Sequence, residues 1–166
     1  MKKVKKQHLK GINPSDAEIN NLLQQYQNGQ HSDAEKLAQS LTERFPTHQF
    51  GWNVLAAVLK KTGRISESLV VSQKSVQLMS QDAGIHYNLG NTLKELGRFE
   101  EAKASYRHAI ALKPDFAEAH SNLGNVLQEL SRLDEAEASY THASALNLTM
   151  PKPTLTWVTC CKNLAD

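Results

Sequence analysis

Cysteine is almost missing from this chain: two residues in 166, and those two, Cys160 and Cys161, are neighbours. Adjacent cysteines cannot build a disulfide framework, so a reducing, cytoplasmic setting is the expectation. Aromatic residues make up only 6% of the sequence, against 40% hydrophobic and 22% charged residues. A core built with so few rings must be packed by aliphatic and small side chains. Proline is confined to ends and joints (Pro14, Pro46, Pro114, Pro151, Pro153), which leaves long uninterrupted stretches for helices. No apolar run approaches the roughly 18 residues of a membrane span. The basic N-terminus is followed by polar sequence rather than an apolar run, so no secretory signal is expected. Phosphate loops, dinucleotide glycine patterns, G-x-S-x-G and H-E-x-x-H are all absent.

Charge is unevenly placed. The net value of +2 includes five lysines in the first ten residues, MKKVKKQHLK. Beyond that tail, 14 basic residues face 17 acidic ones, about −3. A lysine-rich end could touch nucleic acid or anionic lipid. It has no interleaved aromatics and no amphipathic pattern, so residues 1–14 read as a flexible solubilising tail and no nucleic-acid partner is expected.

What the chain does have is repetition. HYNLGNTLKELGR, His86 to Arg98, returns 34 residues later as HSNLGNVLQELSR, His120 to Arg132. Stepping by 34 in both directions divides the chain into four units: 15–48, 49–82, 83–116 and 117–150. Gly29, Gly63 and Gly97 fall in register, with Ser131 in the fourth slot; Ala34, Ser68, Ala102 and Ala136 align, as do Pro46 and Pro114. Four units without an insertion mark a repeat architecture.

Each unit reads as two helices. In the third, Leu89, Leu93 and Leu96 are spaced i, i+4, i+7 on one face. Gly97 makes the turn, and Phe99 to Leu112 forms the second helix, ended before Pro114. Gly90, Gly124 and Ala56 share a slot inside the first helix. Glycine lowers helix stability there, so its return implies two helices crossing closely, with Ala102, Ala136 or Ser68 as the expected opposing residue. Trp52, Leu55, Leu89, Gly90, Ala102, Leu123, Gly124 and Ala136 are the candidate structural positions. One pair buries one side only; stacked neighbours complete the core, giving an all-α solenoid.

On these registered positions, residues 15 to 150 resemble the tetratricopeptide repeat family. That resemblance implies a right-handed superhelix of antiparallel helix pairs with no catalytic role and no cofactor. Glu18 and Asn21 replace large apolar residues of the family pattern in the first unit, as suits an exposed capping repeat. Ser131 and Leu148 depart from it in the last. The run NLGN…LKELGR…SYRxAIALKPD is similar to the repeat regions of O-linked N-acetylglucosamine transferases. No catalytic domain accompanies it, so no transferase activity is implied. Residues 151–166 are expected to form a capping helix with Trp157, Cys161 and Leu164 on one stripe. That stripe either covers the open end of the fourth unit or docks on a second copy, making a homo-oligomer.

Seven histidines raise a metal hypothesis. His86 and His120 are repeat-equivalent, as are His108 and His142, so each such pair is expected about 10 Å apart, a helix-packing distance. Zinc needs nitrogen ligands at about 2 Å. No metal site is expected, and His86 and His120, in the slot of Trp52, read as packed core residues. Glu100–Glu101 and Asp134–Glu135 open second helices, where they favour the positive helix end. No acid–base pair emerges.

The face of each first helix away from the core is the candidate binding surface for a protein or peptide segment. It carries Asn53, Lys60 and Lys61 in the second unit. The third offers Tyr87, Asn88, Asn91, Lys94 and Glu95, and the fourth Ser121, Asn122, Asn125, Gln128 and Glu129. An asparagine amide supplies both donor and acceptor and so can pair with an extended backbone. The Asn88 and Asn122 slots are similar to the asparagine ladder of the transferase repeats, which holds peptide backbones. The alternative is that these amides bond between neighbouring helices. In family members that grip a C-terminal carboxylate, a lysine would be expected at Tyr87 and Ser121 and an arginine at Asn88 and Asn122, so that mode is not expected. The function expected is a peptide-binding scaffold. Its alternatives are a self-assembling module and the substrate-recognition arm of a glycosyltransferase lacking its catalytic domain.

Overall fold

The computed structural model describes residues 13–148, which form four helix pairs. They are α1 (Asp16–Gln27) with α2 (His31–Arg44), α3 (Gln49–Lys61) with α4 (Ile65–Leu78), α5 (Ala83–Glu95) with α6 (Phe99–Leu112), and α7 (Ala117–Glu129) with α8 (Leu133–Leu148). Each helix packs on its neighbours in the chain, and α1, α3, α5 and α7 also touch in succession. This is an all-α solenoid of antiparallel pairs. The lysine tail and the Trp157–Cys161–Leu164 stripe lie outside the described residues.

The turns within the pairs follow one backbone rule. Gly29, Gly63 and Gly97 have φ between 70° and 77°, the left-handed region open to glycine. There the amide of the glycine and that of the next residue turn back onto the last helical turn: Gly97 N–H donates to Lys94 O (3.0 Å) and Arg98 N–H to Leu93 O (2.9 Å). Ser131 takes the same conformation at φ 58°, and the same two bonds form: Ser131 N–H donates to Gln128 O and Arg132 N–H to Leu127 O (both 2.9 Å). The fourth unit therefore keeps the turn without the residue best suited to it.

The starts of α1, α3 and α5 are capped by side chains. Ser15 and Glu18 form a reciprocal capping box on α1, and Arg44 bonds the same Glu18 carboxylate at 2.5 Å. Those hydrogen bonds hold the Glu18 carboxyl down to about 2, the Ser15 backbone and hydroxyl contributing most. Asp82 caps α5 through Ile85 N–H (3.2 Å), and His48 caps α3 through Phe50 N–H (3.4 Å).

Two apolar cores run along the stack. One gathers Leu22, Ala34, Ala38, Leu41, Phe45, Val54, Leu55, Val58 and Leu59. The other gathers Leu69, Leu93, Ala102, Tyr106, Leu123, Val126, Leu127 and Ala136, with Leu89 and Leu96 packed against it. Between them α4 turns inward three buried serines, Ser68, Ser72 and Ser75. Ser68 donates to Ala56 O (3.0 Å) and Ser75 to Ser72 O (2.7 Å). The Ser72 hydroxyl is buried with no hydrogen-bond partner.

The close crossing at Gly90 is real, but the residue that closes it differs from the expectation. A methyl group built on Gly90 would lie 2.6 Å from Cε1 of Tyr106, and one on Gly124 would lie 2.6 Å from Cε1 of Tyr140. The nearest opposing groups are thus tyrosine rings, not Ala102 or Ala136. Those alanines are buried in the same core. In the second unit, where Ala56 replaces glycine, the tyrosine slot holds Ser72, and Ser68 is the residue that touches the Ala56 carbonyl.

Candidate binding groove

The polar faces of α3, α5 and α7 lie side by side, and their asparagines are tied across the repeat junctions. Asn88 Nδ2 donates to Asn53 Oδ1 at 2.8 Å. One unit further on, Asn122 Nδ2 donates to the Tyr87 hydroxyl at 3.0 Å. Both bonds span 35 residues, so the same step joins α5 to α3 and α7 to α5. The alternative for these amides, bonding between helices, is therefore part of their role in the fold.

The second junction is tied more heavily. Asn122 Nδ2 also donates to Asn91 Oδ1 (3.0 Å), and Asn122 Oδ1 accepts from Lys94 Nζ (3.3 Å) and Asn125 Nδ2 (3.4 Å). Asn91 Oδ1 in turn accepts from the Tyr106 hydroxyl at 2.7 Å. Tyr106 is fully buried, and that burial pushes its phenol well above the usual tyrosine range. The fourth unit repeats the bond: the Tyr140 hydroxyl donates to Asn125 Oδ1 at 2.7 Å, with Gln128 Oε1 at 2.9 Å. Glycine, asparagine and tyrosine thus act together. Glycine lets the ring cross the helix, and asparagine receives its hydroxyl on the far side. The recurrence of Asn91 and Asn125 has a packing cause that spacing alone did not reveal. The signal was present, since Tyr106 and Tyr140 follow their glycines by the same interval, while the first two units lack all three residues at those positions.

The histidines pair within units rather than between them. His86 packs on His108 with ring centroids 4.1 Å apart, and His120 stacks on His142 at 5.5 Å. His86 Nε2 lies 2.9 Å from Ser80 O, and His120 Nε2 lies 3.0 Å from Pro114 O. A carbonyl only accepts, so both rings carry their proton on Nε2. Trp52 makes the same bond with its indole N–H, to Pro46 O at 2.9 Å. Tryptophan and histidine share the slot because each offers a ring N–H to the carbonyl six residues earlier. Burial, together with neighbouring His108, lowers the pKa of His86. Among the described residues no group of three or more histidine, cysteine or acidic side chains is placed to hold a metal ion.

Profile models of two repeat families match the chain, one described as TPR repeat over residues 90–131 and one as tetratricopeptide repeat over 117–149. The chain thus resembles tetratricopeptide repeats over residues 90–149. Its helix pairs superpose on a thermophilic TPR protein of Thermus thermophilus, TTC0263, with 25% identity and a TM-score of 0.70. That match covers 81% of this chain and 74% of the other. The pilF protein of Pseudomonas aeruginosa is also similar, at 25% identity and a TM-score of 0.72, over 82% of this chain and 62% of that one. MamA of Desulfovibrio magneticus RS-1 shares the fold at 19% identity and a TM-score of 0.70, over 81% and 76%. No curated protein matches the sequence.

The charged groove residues are partly spent on one another. Lys60 Nζ lies 2.9 Å from Glu95 Oε1, linking α3 to α5. Lys61 is exposed and makes no ion pair among the described residues. Gln128 and Glu129 are exposed on α7 and Ser121 is half-buried. Tyr87 is held from two sides, by Phe116 (ring centroids 4.9 Å) and Tyr106 (5.9 Å). No helix among the described residues is long and apolar enough to cross a membrane.

Proposed function

We propose that this chain docks an extended polypeptide segment along the polar faces of α3, α5 and α7. The observation that carries the reading is the register of amide side chains across adjacent helices, with Asn53, Asn88 and Asn91 half-buried and Asn125 exposed. Amides in such a row present donors and acceptors at intervals along a groove, which suits backbone rather than side-chain recognition. Lys60, Lys61, Lys94, Glu95, Gln128 and Glu129 then line the edges. The test uses a displayed library of random 12-residue peptides selected against the full chain. Changing Asn53 and Asn88 together to alanine is expected to weaken the selected peptides by about tenfold, at about 1 kcal/mol or less per hydrogen bond. Unchanged affinity in the double variant would overturn the reading.

A second reading is self-assembly. Leu133, at the start of α8, is 54% exposed, while its repeat-equivalent Phe99 is packed into the second core. The last pair thus offers an apolar spot with no further repeat upon it among the described residues. Concentration-dependent sedimentation, abolished by Leu133→Lys, is the result that supports this reading; a monomer at every concentration removes it. The reading as a glycosyltransferase's recognition arm rests on the asparagine slots in the sequence. It is tested by whether a catalytic domain follows in the same reading frame.

A further inference from the structure

We propose that the asparagine column is divided in function: the Asn53–Asn88 pair contacts the docked segment, whereas Asn122 is a strut that bolts α7 to α5 and contacts no ligand. Tyr87 decides which it is. The proposal rests on the docking reading above and adds where along the groove the backbone is read.

Hydrogen-bonding capacity separates the two rungs. A primary amide has two N–H donors and a carbonyl oxygen able to accept twice. Asn122 spends both donors, on the Tyr87 hydroxyl and Asn91 Oδ1. Its oxygen takes Lys94 and Asn125. The orientation of the amide is fixed by these partners, because Lys94 can only donate and Asn91 Oδ1, already accepting from Tyr106, can only accept. A peptide reaching Asn122 would have to break one of these bonds and leave a partly buried group unmatched, which costs more than the new bond returns.

The Asn53–Asn88 pair is different. A single bond joins the two amides. Asn88 keeps one N–H and its whole carbonyl oxygen, and Asn53 keeps both N–H groups. Those are the donors and acceptors an extended chain needs to place one C=O and one N–H. The residue before the rung makes the difference. Asn53 and Tyr87 occupy the same repeat slot, but the tyrosine ring, wedged between Phe116 and Tyr106, holds its hydroxyl where the next asparagine must bond it. A short amide in that slot leaves a rung open, and a tyrosine closes it.

Two measurements on the full chain test the two halves separately. A thermal-unfolding cycle of Tyr87→Phe, Asn122→Ala and the double variant needs no ligand. The double variant is expected to lose less Tm than the two single losses combined, and additive losses would overturn the strut. Fluorescence polarisation then uses labelled peptides selected from the random 12-residue library. Asn122→Ala is expected to keep affinity within twofold while Asn88→Ala loses at least fivefold. Equal losses in the two variants, with the helical circular dichroism of wild type retained, would overturn the division of the column. Tyr87→Asn is the gain-of-function arm: it frees one Asn122 N–H and adds an amide in the Asn53 slot, so it should tighten binding of the same peptides several-fold, and no tightening would overturn the role given to Tyr87. If wild type selects no peptide, the docking reading falls and takes the Asn53–Asn88 half with it, and the unfolding cycle still decides the strut.

Discussion

In units three and four a tyrosine of the second helix lies across a glycine of the first and bonds an asparagine beyond it. In units one and two the same slots hold Leu22 with Ala38 and Ala56 with Ser72, and the asparagine slot holds Leu23 and Ala57. The large side chain has changed helix between unit one and units three and four, while unit two has a small residue in both slots. In unit one Leu22 projects from the first helix into a space left by Ala38; in unit three Tyr106 projects from the second into a space left by Gly90. Both arrangements are fully buried. Where a large side chain fills the crossing, either helix can supply it. What differs is polarity. Leucine ends in the core, whereas tyrosine carries a hydroxyl through the crossing and requires an acceptor on the far side. Asn91 and Asn125 therefore come with the tyrosine.

This comparison can be broken most forcefully at Tyr106. Tyr106→Ala removes a fully buried ring and leaves Asn91 without its hydroxyl donor, so a loss of about 4 kcal/mol in urea unfolding is expected. Tyr140→Ala should cost about half as much, because Tyr140 is only half-buried. Equal losses would show that the two crossings are not graded by burial.

Adding a methyl on the other helix is the next largest test. Gly90→Ala gains helix propensity of about 1 kcal/mol. It also drives a methyl into a buried ring, and the net expected is a loss of about 2 kcal/mol. Gly124→Ala should be milder, since the Tyr140 ring can move toward solvent. The converse sharpens the point in unit two. Ser72→Tyr should destabilise on its own and recover at least half of that loss when Ala56→Gly is added. A failure of the second change to help would mean that the crossing is not set by this pair.

Smaller effects follow from the other two departures from strict repetition. Ser131 holds a left-handed backbone that glycine holds in the other three units, so Ser131→Gly should stabilise by about 1 kcal/mol, read as a higher urea midpoint. His86 titrates below its ordinary value of 6.5, burial being the main cause. The folded chain therefore favours the neutral ring, and the unfolded chain binds the proton more readily. The stabilisation is complete above about pH 6.5 and is lost as the pH falls from there through the lowered folded value. Carboxylates do not obscure that window, as the shifts at Glu18, Glu67 and Glu100 lie at lower pH. Wild type should melt lower at pH 5 than at pH 7.5, and His86→Trp, copying the Trp52 slot, should flatten that difference. An unchanged difference would assign it to other groups.

The register of 34 made the fold legible, because stacking requires Leu93, Ala102 and the turn glycines to return wherever a helix pair returns. Slot identity also carried the histidines, since Trp52, His86 and His120 share one hydrogen bond. The site was legible only by position. Which face Asn88, Asn91, Asn122 and Asn125 occupy follows from the helical period, but what their amides bond depends on Tyr87, Tyr106 and Tyr140. Side-chain length across a helix crossing has no periodic signature in a single unit. It becomes visible when units are compared for what changes together, as glycine, asparagine and tyrosine do between the second and third.

The three inward serines of α4 bear on how the molecule comes apart. A solenoid's cooperativity is carried by the interfaces between successive units, each coupling only nearest neighbours. Ser68, Ser72 and Ser75 put small polar groups, one of them unpartnered, where the flanking cores meet. Polar groups there reduce the apolar surface α4 offers its neighbours, so we predict that coupling along the stack is weakest at α4. That predicts two foldons, one ending before α4 and one beginning at α5. Native-state hydrogen exchange should group the amides of α1 to α3 apart from those of α5 to α7 in their opening free energies. The Asn53–Asn88 rung spans that divide, so a segment docked there would hold the two halves together, and peptide binding would be read out as restored cooperativity.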